Sequence, residues 1–136
     1  MKKVLVAVVV LLVGLVVSGC GSKYADVKKT NTKFAKATEA YVADLEKADD
    51  AKSVAKAING YADEMEVFWP KMKALSEKYP ELQDPNNVPK QIQASQKESE
   101  ASGKKMAATF MKLMPYMTDP EVRKAQERLG KIMSQQ

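Results

Sequence analysis

The sequence predicts an all-α protein: an antiparallel up-down helical bundle of three long helices plus a shorter fourth, following an N-terminal signal peptide. Three observations carry that expectation. After residue 24, apolar residues recur at alternating spacings of three and four, the stripe that a helix turns toward a bundle core. The connections between stripes are short, which makes neighbouring helices antiparallel. No strand pattern, internal repeat or long low-complexity run interrupts the series.

The first element is the signal. Lys2 and Lys3 form a positive start, Val4 to Val17 are uncharged and mostly branched, and Ser18, Gly19 and Cys20 follow. An apolar stretch of about 15 residues suits a secretory signal, whereas a membrane-spanning helix needs about 20. The ending Val17-Ser18-Gly19-Cys20 resembles the lipobox of bacterial lipoproteins. That resemblance implies cleavage before Cys20, a diacylglycerol on its thiol and often a further acyl chain on its new amino group. Two or three chains at about 0.8 kcal/mol per buried methylene anchor stably, where one does not. The competing reading is an uncleaved membrane helix, because Val4 to Gly21 carries no charge, at the lower limit of length for a span. Either way, Lys2 and Lys3 stay inside and the rest lies outside the cytoplasm.

The expected organisation is a signal at 1–19, a lipidated Cys20 with a short tether at 20–23, and a bundle domain at 24–136. Gly21, Ser22 and Lys23 span at most about 10 Å, so the bundle sits on the membrane surface. The expected address is the cell membrane or outer membrane, lipid-anchored and facing the periplasm or exterior. No Asp follows Cys20, which by resemblance to enterobacterial lipoproteins favours the outer membrane.

Helix one is predicted at about 24 to 48, with Val27, Asn31, Phe34, Thr38, Tyr41, Leu45 and Ala48 on its inner face. Asp49 and Asp50 are placed to cap helix two. Its stripe of Val54, Ile58, Tyr61, Met65, Phe68, Met72, Leu75 and Tyr79 stays in phase across Pro70, which predicts a kink and no break. Tyr79-Pro80 ends it. Helix three is predicted from about Val88 to Met117, with a polar middle whose inner side offers Ser95, Ser99 and Ser102. Those small groups are expected to make room for the rings of Tyr61, Phe68 or Trp69, a reading preferred over a loosely packed segment that lines a groove. The run Thr118-Asp119-Pro120-Glu121 reads as a capping box before a short helix four, with Val122, Ala125, Leu129, Ile132 and Met133 inward.

Composition narrows function. Lys plus Arg number 22 against 17 Asp plus Glu; without Lys2 and Lys3 the balance is 20 against 17, or +3. So mild a charge on an exported chain argues against nucleic acid as a partner. The chain has one cysteine and no histidine, hence no internal disulfide, no Ser/His or Cys/His pair, and no imidazole ligand. No phosphate loop is present, and the sequence predicts a protein that is not an enzyme, with no cofactor beyond the covalent lipid on Cys20. The expected partners are membrane lipid and an envelope protein.

The methionines offer chemistry. Met111, Met114 and Met117 fall at i, i+3 and i+6, with Met106 nearby, and thioethers are soft ligands that suit Cu(I). Against a metal site stands the ordinary use of Met as adaptable core filler near an irregularity such as Pro115. Charge is polarised along helix one. Lys23, Lys28, Lys29, Lys33 and Lys36 oppose only Asp26, for +4 over 23–36, whereas residues 37–50 carry −4. Lys71, Lys73, Lys78, Arg128 and Lys131 are expected to return to the anchored end, where basic residues meet anionic headgroups at about 1 kcal/mol each. A partner surface is expected around Phe68, Trp69, Gln93, Gln96 and Glu100.

One local resemblance remains. The run from Glu46 to Ile58 resembles the first turn of cytochrome b562-type four-helix bundles, over about a tenth of the chain. It implies a bundle and nothing for haem. That family ligates haem through a Met early in its first helix and a His in its last, whereas this chain has no His and its first Met after the signal is Met65. More broadly, the chain is similar to small helical lipoproteins of bacterial envelopes.

Overall fold

The computed structural model describes residues 22–84 and 86–134. The signal, Cys20 and Gly21 therefore lie outside the described residues. Four α-helices and no strand occur among those described: α1 Ala25–Lys47, α2 Ala51–Lys78, α3 Lys90–Thr109 and α4 Pro120–Ser134.

The α1–α2 hairpin follows its sequence closely. Asp50 caps α2, its carboxylate accepting from the Ser53 N–H at 2.6 Å while Ser53 Oγ accepts from the Asp50 N–H at 3.2 Å. That reciprocal box satisfies two backbone donors that the first turn leaves without helical partners. α2 runs through Pro70 and buries Val54, Ile58, Tyr61, Met65 and Phe68. Each such side chain contributes roughly 1.5–3 kcal/mol on burial. Tyr61 lies stacked on Tyr41 at 4.5 Å, and Phe68 on Phe34 at 5.1 Å. The hairpin is antiparallel, since Asp26 meets Lys78 at one end and Tyr41 meets Tyr61 farther along.

α3 lies parallel to α1, with Ser95 at Asn31, Lys105 at Glu39 and Lys112 at Glu46. α4 lies parallel to α2, because Tyr116 reaches Asp49 before it starts and Arg128 reaches Asp63 and Glu66 along it. The order is up, down, up, down, with α3 packed chiefly on α1 and α4 chiefly on α2.

Four expectations need correction. The rings of Tyr61 and Phe68 stack on rings of α1, while Ser95 and Ser99 bond to Asn31; the serines bring α3 close to α1 and do not serve as sockets for those rings. α3 ends at Thr109, before Met117, and continues as 3₁₀ turns at Phe110–Lys112 and Met114–Tyr116. Pro115 sits within the second of these turns and has no N–H to donate to the Met111 carbonyl, so it cannot restore the α ladder there. Asp119 alone caps α4, accepting from Glu121 and Val122 N–H at 2.8 and 3.3 Å. Met133, expected inward, is 42% exposed.

The interior divides in two. A larger core runs from Leu45 and Val54 to Phe68 and takes in Leu113, Val122 and Ala125. A smaller one joins Tyr24, Val27, Tyr79 and Ile92 at the end where the described chain begins.

Candidate functional site

At that end, two Lys-Tyr pairs meet. Lys23-Tyr24 stands at the start of α1 and Lys78-Tyr79 at the end of α2, and the antiparallel hairpin brings them together. The Tyr24 and Tyr79 rings lie 5.2 Å apart and tilted, each with its preceding lysine 5.0 Å from the ring centre. Tyr24 OH donates to Glu81 at 2.9 Å, and Tyr79 OH donates to the Lys23 carbonyl at 2.6 Å and to the Asp26 carboxylate at 3.1 Å. Lys23 pairs with Glu81 at 2.8 Å and Lys78 with Asp26 at 2.6 Å.

The electrostatics follow from these contacts. The Lys23 ammonium first, with the Tyr24 hydroxyl assisting, holds Glu81 down at about 2, and Glu81 in turn raises Lys23 to about 12. Lys78 lowers Asp26 in the same way, with Tyr79 assisting. These carboxylates and ammoniums are exposed, Lys23 by 66% and Glu81 by 36%, so water screens them and the pairs act more as latches of position than as sources of stability. What they position is the chain's entry. The Ser22 carbonyl accepts from the Ala25 N–H at 2.9 Å, so the turn into α1 has already begun at Ser22.

The predicted basic set splits. Lys23 is tied to Glu81, Lys28 is half-buried, and Lys29, Lys33 and Lys36 are exposed along α1. Lys29 and Lys33 border the α1–α2 groove together with Lys71. Arg128 does not return to this end. α4 has 15 residues, about 22 Å, against 28 residues and about 42 Å for α2, and Arg128 bonds to Asp63 at 2.7 Å and Glu66 at 2.9 Å partway along.

The expected partner surface is not one surface. Phe68 is buried against Phe34 and belongs to the core. Trp69 is half-buried, Gln93 is spent on the Val88 carbonyl, and Gln96 donates to Glu100 along α3. The methionines also divide: Met106 packs against the larger core, Met117 is half-buried, and Met111 and Met114 are 73% and 54% exposed. The core-filler reading therefore fails for Met111 and Met114.

Comparison with protein-family models, curated proteins and solved structures finds no match for this chain. Its site is read from its own geometry. Among the described residues, no group of three or more His, Cys, Asp or Glu side chains is placed to hold a metal, and no helix is long and apolar enough to cross a membrane. Reading by sequence alone missed Tyr24, Tyr79, Asp26 and Glu81. The signal available was the repeated Lys-Tyr doublet, which gains meaning once the hairpin brings positions 23 and 78 to the same level.

Proposed function

We propose that this chain is a non-catalytic lipoprotein of the bacterial cell envelope, held to a membrane through Cys20 and acting by contact with an envelope partner. The lipobox-like Val17-Ser18-Gly19-Cys20 carries the reading. The latch at Lys23, Tyr24, Tyr79 and Glu81 supports it, because an anchor two residues before Ser22 then joins a chain already fixed to the fold. Lipid at Cys20 would thus set orientation as well as address. Exposed Lys29 and Lys33 near that end, with exposed Lys36 midway along α1, favour an anionic headgroup surface, and Asp44, Glu46, Asp49 and Asp50 lie toward the other end.

The intact mass of the chain recovered from bacterial membranes tests the anchor. The expected species lacks residues 1–19 and carries diacylglycerol on Cys20; an intact Met1 or a bare Cys20 thiol ends the proposal. Flotation of a Cys20→Ser form with liposomes tests the surface. Binding should favour anionic over neutral vesicles and weaken with salt, and the absence of either response removes the headgroup contact.

A further inference from the structure

The switch from α to 3₁₀ geometry after Thr109 changes which side chains share a face. A 3₁₀ helix has three residues per turn, so side chains at i and i+3 eclipse one another, about 6 Å apart along the axis. The Leu113 N–H bonds to the Phe110 carbonyl at 3.0 Å, Tyr116 N–H to Leu113 at 2.9 Å, and Met117 N–H to Met114 at 3.4 Å. Residues 110 to 118 thus form three columns. Phe110, Leu113 and Tyr116 make the first: Leu113 is buried and Tyr116 packs on the larger core, while Phe110 at its head is 47% exposed. Lys112, Pro115 and Thr118 make the second. The third is Met111, Met114 and Met117, three thioethers in line, the first two largely exposed.

Core packing accounts for Leu113 and Tyr116 and leaves Met111 and Met114 without a folding role. Exposed positions on a helical element ordinarily carry charged or polar residues, yet here two exposed methionines, Met111 and Met114, stand in line with a half-buried third, Met117. We infer that Met111, Met114 and Met117 form a binding site for a soft monovalent cation, Cu(I) or its redox-inert analogue Ag(I).

The chemistry suits that ion. Thioethers bind soft metals in preference to Mg, Ca or Mn, and the flexible Met side chain lets eclipsed sulfurs converge. Met111 stands two residues past the carboxyl end of α3, where helix carbonyls favour positive charge. Lys112, the one cation between 110 and 118, donates to the Glu46 carbonyl at 3.2 Å in the neighbouring column. Met106 has no place in the site, because it packs against the core.

The test uses the full chain in detergent with Cys20→Ser, which removes the only thiol, and Met side chains carrying ¹³C at the methyl. Titration with Ag(I) should saturate at one ion per chain and move the methyl signals of Met111, Met114 and Met117, leaving Met65 unmoved. Met111→Leu combined with Met114→Leu should weaken binding at least tenfold while the helical circular dichroism stays unchanged, since both positions are exposed. Overturning results are an absence of saturable Ag(I) binding, shifts spread over all methionines, or equal affinity in the double variant.

Discussion

The two ends of the bundle are held by different physics. The end where α1 begins is closed by a small core and a polar latch: two tyrosines, two exposed ion pairs and the bonds from Tyr79 OH to Asp26 and to the Lys23 carbonyl. The half containing the α1–α2 turn is closed by a larger core with stacked rings, and its Thr38 and Tyr61 hydroxyls share a 3.3 Å bond. Apolar burial is nearly indifferent to salt and pH, whereas latches answer to both. The end where α1 begins is therefore the adjustable one, and the far half is the frame that holds it.

Truncation in the two cores breaks this comparison most directly. Ile58→Ala, at a side chain 1% exposed, should cost about 2–5 kcal/mol by chemical denaturation. Ile92→Ala in the smaller core should fall near the bottom of that range, because a cluster at the end of the bundle can collapse around the gap. An Ile92→Ala cost equal to or above that of Ile58→Ala would mean the two ends are one core. Next in size is Tyr79→Phe, which removes the hydroxyl from the Lys23 carbonyl and should cost about 1 kcal/mol. Hydrogen exchange should quicken at amides 25 to 28 and stay unchanged at 55 to 62; a uniform change would count against a local latch.

A smaller effect, of opposite sign, comes from Gly60. It lies in α2, and a Cβ built there meets nothing within 4 Å. Gly60→Ala should stabilise by about 0.5–1 kcal/mol through lost freedom of the unfolded chain, read as a higher Tm. The smallest effects are those of pH. Glu81 and Asp26 have lowered folded values, so their stabilisation is present above their ordinary carboxylate range and is lost as pH falls, for Glu81 toward about 2. Asp50 at the α2 cap is lowered too, by Ser53, so acid also loosens that turn. Burial, with the nearby Tyr61, raises Tyr41 to about 12, so its contribution to the larger core is present below its ordinary value near 10 and is lost between there and about 12. Tyrosine absorbance across that alkaline range should show Tyr41 ionising with loss of ring stacking. Hydrogen exchange between about pH 4.5 and 2 should show amides near Tyr24 and Tyr79 opening while Ile58 stays protected.

Much of this architecture was legible in the sequence because its determinants are local. Stripes at three and four residues, Asp50 before α2 and Tyr79-Pro80 after it mark α1 and α2 to within a residue or two. Reading failed where the period itself changed. Extending a 3.6-residue repeat past Thr109 puts Met111 and Met114 in doubt between core and surface, and only the 3₁₀ turns show those two outside, with Met117 half-buried. It also failed for contacts between distant residues. Arg128 was assigned to the anchored end by counting helices, but the shortness of α4 stops it beside Asp63 and Glu66. Phe68 was read as both stripe and surface, and its stacking on Phe34 leaves it only the first role.

Orientation on the membrane tests the central claim most directly. Lipidation would consume Cys20, so a single introduced cysteine at exposed Lys29 or exposed Ala108 can be labelled alone. Ala108 stands near the level of Val42, given Lys105 beside Glu39 and Lys112 beside Glu46, which puts it about 20 Å beyond Lys29 along α1. Energy transfer from each label to headgroup acceptors, measured on the lipidated protein in anionic vesicles, should be strong from position 29 and weak from position 108. Equal transfer from the two positions would contradict an anchor that orients the bundle.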